Sequence, residues 1–159
     1  MMHVDRYERR WMIATGVTLA VFILALAVTA VIGGIELPGV SERIAPSTVS
    51  TSGPFANPGL RQLGPGRYEL FIREQTWAFV PNEVHVPAGS SVTFHLTSPD
   101  VQHGFYVEGT NIHMMVLPGQ VSSLTAAFPR PGTHQFWCDE YCGIAHQIMS
   151  GKIVVDPAR

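Results

Sequence analysis

Ser91-Val92-Thr93-Phe94-His95-Leu96-Thr97, closed by Ser98-Pro99-Asp100, is the stretch whose reading decides the fold. Valine, phenylalanine and leucine alternate with threonine and histidine, the two-residue period of a strand with one face buried and the other polar. The same texture recurs on both sides of it. Residues 68–72, 77–80 and 84–86 precede it, and 105–107, 121–128, 132–137 and 152–155 follow, each bounded by turn residues such as Pro87-Ala88-Gly89. Many short strands separated by Pro and Gly predict an all-β domain, a sandwich or a barrel.

The chain of 159 residues holds one ordinary domain plus an appendage. The appendage is N-terminal. Residues 11–35 carry no charge and consist mainly of Ala, Val, Ile and Leu; at about 1.5 Å per residue such a helix exceeds a hydrocarbon core of roughly 30 Å. A cleaved signal peptide has an apolar stretch of only about 7–15 residues, so the helix reads as a retained anchor in the lipid bilayer. Arg6, Arg9 and Arg10 precede it, whereas its far end holds Gly33 and Gly34 and then Glu36. The positive-inside rule then places the N-terminus in the cytoplasm and the rest of the chain outside.

The expected organisation is a cytoplasmic segment over 1–10, a transmembrane helix over 11–36, an extended linker over 37–66 and the β domain over 67–159. The linker reading rests on Pro38, Pro46, Pro54, Pro58 and Pro65 among many Gly, Ser and Thr, which suit neither a helix nor a central strand. A net charge of −2, without a Lys/Arg run, gives no footprint for nucleic acid.

Chemistry concentrates in Trp137-Cys138-Asp139-Glu140-Tyr141-Cys142-Gly143-Ile144-Ala145-His146-Gln147-Ile148-Met149. Two thiols, an imidazole and a thioether fall within twelve residues, and His103 follows the opening strand on a second loop. Soft sulfur with imidazole suits copper or zinc. In an exported domain the two cysteines would by compartment alone form a disulfide. A blue-copper site uses two His, one Cys and a Met, which leaves a cysteine over. Structural zinc accepts two Cys and two His but has no use for the Met. A two-copper cluster bridged by both thiolates uses the whole set, with a His on each metal, Met149 on one and the main-chain oxygen of Glu140 on the other.

The pattern Cys138-x-Glu140-x-Cys142-Gly143-x-x-His146-x-x-Met149, with Ser98-Pro99-Asp100-Val101-x-His103-Gly104-Phe105 upstream, resembles the binuclear copper (CuA) domain of subunit II of haem-copper cytochrome c oxidases. Val107-Glu108-Gly109-Thr110-Asn111-Ile112, Val116-Leu117-Pro118-Gly119 and Phe128-x-Arg130-Pro131-Gly132 extend the likeness. The single helix and Arg6-Tyr7-Glu8-Arg9-Arg10-Trp11 resemble the B-type, thermophile-like branch.

The resemblance implies a cupredoxin-like, Greek-key β-sandwich with one N-terminal transmembrane helix. It implies copper ligands at His103, Cys138, Cys142, His146 and Met149, and at Glu140 through its carbonyl. In many relatives the Glu side chain also reaches magnesium, which B-type members need not keep. Electrons would come from cytochrome c or a small copper protein and leave to the haems of subunit I, where oxygen is reduced, so the assembly is an enzyme whose catalytic site lies on another chain. Trp77 is the candidate for electron arrival, with core packing as its alternative. Glu8 is the candidate for the mouth of a proton path, or else a solvated interfacial carboxylate. Two other readings stand beside this one, the CuA subunit of a nitric oxide reductase and a membrane-anchored copper-delivery protein.

The remaining polar residues read plainly. His85 and His95 fall on the wet phase of their strands, His113 and His134 have no motif partner, and Met114 and Met115 read as packing.

Overall fold

The computed structural model describes residues 5–33 and 38–158. The chain falls into two compact units that divide near residue 35. The first contains helix α1 (Arg6–Ile32). The second contains β1 (Gly39–Arg43), β2 (Gly59–Gly64), β3 (Arg67–Gln75), β4 (Ala78–Val80), β5 (Glu83–Pro87), β6 (Ser90–Thr97), β7 (His103–Val107), β8 (His113–Val116), β9 (Gln120–Phe128), β10 (Gly132–Trp137) and β11 (Ser150–Asp156). Positions 1–4, 34–37 and 159 of the expected segments lie outside the described residues.

Helix α1 begins at an Asp5 cap whose carboxylate accepts the Tyr7 N–H at 2.8 Å, and it ends where the Gly33 N–H reaches the Thr29 carbonyl. None of its residues is buried within its own unit, and its apolar side chains point in all directions. With a mean hydropathy of 2.5 over its most apolar window, a helix of this kind is soluble only when lipid or protein surrounds it.

The β unit is a sandwich of two sheets. One has the order β1-β9-β6-β3-β2 with β4 on the far end of β3; the other runs β5-β11-β10-β7-β8. Strands β3 and β6 pair in parallel, as do β5 and β11, and the other pairs are antiparallel. The crossovers between sheets give the Greek-key connection expected of a cupredoxin-like fold. Alternation sets the core: Val92, Phe94 and Leu96 of β6 face inward with Leu70 and Ile72 of β3, and meet Phe105, Val107, Phe136 and Ile153 of the other sheet. Phe79, Phe105 and Phe136 touch edge to face or tilted, with ring centres 5.0 to 5.7 Å apart.

The Pro-rich segment over 37–66 supplies both edges of the first sheet, β1 beside β9 and β2 beside β3. An edge strand leaves one side of its backbone unpaired, and that is where a Gly- and Pro-rich chain fits. The same segment brings Val49 and Phe55 onto the outer face of the sheet, where they bury Phe71 and Val121. This cover changes the setting of His95. Its ring stacks on Phe71 at 4.8 Å and meets Ser123 Oγ at 2.9 Å, so a histidine expected in solvent is largely enclosed.

Across the parallel β5–β11 pair, His85 lies 3.2 Å from both Asp156 and Glu83, and Lys152 lies 3.1 Å from Glu83. Hydrogen bonds to Asp156 and then Glu83 raise the His85 pKa, and those from Lys152 and then His85 lower that of Glu83. A raised histidine stabilises the fold below its unfolded value and loses the effect as pH rises; a lowered carboxylate does so above its unfolded value and loses it in acid. The strap is therefore at full strength between 4.5 and 6.5, the two ordinary values. We expect the melting-temperature difference between wild type and His85→Asn to be widest in that window and to fade above it; a difference constant with pH would refute the assignment.

Candidate metal centre

Five strand ends meet at one end of the sandwich: the ends of β3, β6 and β10 and the starts of β7 and β11 converge there, as their pairing registers require. His103, the first residue of β7, is fully buried. Its Nε2 lies 3.0 Å from Asp100 Oδ1. Asp100 belongs to the turn after β6, where its carboxylate also accepts the Thr76 N–H at 2.8 Å, the Thr76 hydroxyl at 2.9 Å and the Val101 N–H at 2.7 Å. Burial opposes ionisation of Asp100, but the bonds from Thr76, His103 and Val101 outweigh it and hold the carboxyl well below the usual range. An ionised Asp100 takes the Nε2 proton as acceptor and leaves the Nδ1 lone pair free.

That lone pair faces sulfur. His103 Nδ1 lies 3.9 Å from Cys138 Sγ, and Cys138 Sγ lies 3.7 Å from Cys142 Sγ. Both thiols are free and nearly inaccessible. The Glu140 carbonyl oxygen approaches Cys138 Sγ at 3.2 Å, while His146 Nδ1 and Met149 Sδ approach Cys142 Sγ at 3.5 and 3.8 Å. Each sulfur therefore has one imidazole and one weaker donor. The loop that achieves this is closed by the Cys138 N–H on the Met149 carbonyl at 3.1 Å and by a short turn at His146–Ile148.

The donor set fits a soft metal. Without one, burial and the adjacent Cys138 push the Cys142 thiol up to about 12; a bound cation inverts that preference and displaces the proton. His103, Cys138 and Cys142 present donor atoms all within 4.8 Å of one another.

All six sequence-predicted ligand positions are thus brought together, and Trp77 lies beside them. Its indole rests on Gly143, where an added Cβ would come 2.9 Å from Nε1, and its neighbour Thr76 is held by Asp100. Trp77 is 41% exposed, and Tyr141, Ile144 and Ile148 of the loop are exposed, with the Tyr141 ring 6.0 Å from that of His146. Glu8 lies on the first turn of α1, in the other unit. The Glu140 side chain accepts from Gln102 Nε2 at 3.3 Å. Asp100 escaped the sequence reading, although its place three residues before His103 in a Ser-Pro-Asp turn was a usable signal. His113 is also more engaged than its isolated position suggests, since its Nε2 meets the Asp139 carboxylate in the loop after β10.

Residues 69–157 match the family profile described as the periplasmic domain of cytochrome c oxidase subunit II. Cytochrome c oxidase subunit 2 of Thermus thermophilus is 42% identical over 153 residues, which span 94% of this chain and 91% of that one. The chain belongs to the cytochrome c oxidase subunit II family. Its likeness to the Thermus protein places it with the thermophile type. A chain of a heme-copper terminal oxidase dimer solved by electron cryo-microscopy superposes with a TM-score of 0.79 and 31% identity, covering 95% of this chain and all of the other. The periplasmic domain of subunit II from Bradyrhizobium japonicum, at 19% identity and a TM-score of 0.53, shares the fold over 56% of this chain. Subunit II proteins are components of an oxidoreductase complex, and this chain is read accordingly.

Proposed function

We propose that this subunit receives electrons at a binuclear copper centre and passes them to the haems of subunit I, where oxygen becomes water. The observation that carries the reading is the pair of free, buried sulfurs 3.7 Å apart, each with its own imidazole and its own weak donor. Cys138, Cys142, His103, His146, Met149 and the main-chain oxygen of Glu140 would together hold two coppers, with one histidine for each. The copper pair, when bound, supplies a one-electron store shared between two ions. The protein's part is to hold that set still: Asp100 fixes the His103 ring and, through Thr76, the Trp77 loop. Rigid ligands limit the structural change that accompanies each electron.

Trp77 would pass electrons from a docked cytochrome c or small copper protein. The face around it would present Trp77, Tyr141, Ile144 and Ile148, while the nearby Asp100 and Asp139 are already engaged, by Thr76 and by His113. Helix α1 would anchor the subunit with its arginine-rich start in the cytoplasm and the sandwich outside, and Glu8 would stand at the mouth of a proton path into subunit I.

The isolated native complex tests this. It should contain haem and copper, reduce oxygen faster than nitric oxide, and keep a donor oxidation rate that changes less than about threefold between low and physiological salt. Charge-steered partners gain on the order of 10- to 1,000-fold at low salt. Preference for nitric oxide would assign the subunit to a reductase of that gas, and a copper-exchanging monomer without haem would make it a delivery protein.

A further inference from the structure

Inner-face positions of β3 run Leu70, Ile72 and then Glu74. Glu74 is fully buried, and among the described residues neither of its carboxyl oxygens has a hydrogen-bond partner. A carboxylate in such a place has lost bulk solvent and gained no donor in exchange.

No cation on the neighbouring strands compensates it. Arg73 is occupied on the other face with the Phe55 carbonyl and Gln75. Strand β4, paired with Glu74 through Phe79, has no ionisable residue. On β6 the one ionisable group, His95, is turned outward to Ser123 and Glu69. In the opposing sheet His103 is engaged by Asp100, His134 by the Glu108 carbonyl, and Glu83, His85, Lys152 and Asp156 form the outer strap. The charged group whose field reaches Glu74 is Asp139 of the metal loop, of like sign and paired outward with His113. Burial first, and Asp139 second, push the Glu74 carboxyl well above the usual range.

We propose that Glu74 is a proton-holding site of this domain, a neutral carboxylic acid at physiological pH whose proton is coupled to the electron on the metal centre. The coupling rests on the reading of that centre given above. Ionisation releases one proton to solvent and leaves a negative charge beside the metal loop, which disfavours an added electron. Reciprocally, an electron taken from the donor raises the proton affinity of Glu74 by the same factor.

The full chain, metal-free, should show in the infrared the carbonyl band of a protonated carboxyl group that shifts in deuterium oxide and is missing from Glu74→Gln. In the copper-loaded protein the midpoint potential of wild type should fall as pH rises through the range where the infrared band is lost, while that of Glu74→Gln stays level over the same range. Glu74→Leu, which also holds no proton, should match the level profile and melt higher, because an unpartnered polar group has been removed from the core. Absence of a band that Glu74→Gln removes overturns the proton assignment. Coincident potential profiles overturn the coupling. Failure of every variant and of wild type to take up copper overturns the centre and the coupling together, while the infrared band still decides the proton.

Discussion

Copper-loaded Cys142→Ser should lose the electron paramagnetic resonance signature of one electron shared by two coppers, and electron transfer into the domain should fall to background. The reason is the division of donors. Cys142 Sγ stands between Cys138 Sγ at 3.7 Å and its own pair, His146 and Met149, at 3.5 and 3.8 Å. A serine hydroxyl is hard, protonated at neutral pH and a poor ligand for copper, so the second bridge is gone. What remains around Cys138 is one thiolate with imidazole, a set suited to a single copper of the blue type. The fold should survive, since placing a hydroxyl in an apolar slot costs about 1–3 kcal/mol against a stability of about 5–15 kcal/mol. Circular dichroism separates the two effects. A folded variant that keeps the shared-electron spectrum would defeat the assignment of Cys142 as a bridge.

Gly104→Ala should damage both stability and metal binding. Gly104 follows His103, and its N–H points at Cys138 Sγ over 3.5 Å. A Cβ there would collide with Asp139 Oδ1 and lie 2.9 Å from the Glu140 backbone nitrogen and 3.0 Å from Glu140 Cγ. The aspartate tip can swing aside, but the Glu140 backbone carries the carbonyl that sits 3.2 Å from Cys138. Overpacking of this kind costs about 1–3 kcal/mol, roughly 4–8 °C in melting temperature for each kcal/mol in a small domain. Copper content should fall as well, because the loop moves away from His103. Gly132→Ala, where nothing lies within 4 Å of an added Cβ, is the control. Equal melting temperature and equal copper content in the two variants would overturn the argument.

These two residues differ in how far they can be read without coordinates. Cys142 belongs to a cluster confined to twelve residues of one loop, so its company is visible in the chain itself. Gly104 is a glycine in a strand whose neighbour, Glu140, is 36 positions away, and nothing local announces the contact. Asp100 lies between these cases. Its turn is legible from Ser98-Pro99-Asp100, yet its double hold on His103 and Thr76 depends on β3 and β6 running in parallel, with Arg73 opposite Thr97. The two edge strands of the first sheet were hidden because a Pro- and Gly-rich segment has weak strand propensity, and pairing with a neighbour overrides it.

Local chemistry was determined by the sequence alone: an uncharged run long enough to span a bilayer, alternating strands, and soft ligands at spacings that one loop can close. These follow from hydrophobic period, chain length and donor type, which act over a few residues at a time. The tertiary structure decided which distant groups share an environment. It put Asp100 behind His103, Trp77 over Gly143, and Glu74 inside the sandwich with no donor for its carboxyl among the described residues. Those placements come from strand pairing and packing between residues far apart in the chain, and the physical property that matters in each, burial without or with a partner, exists only once the sheets have closed.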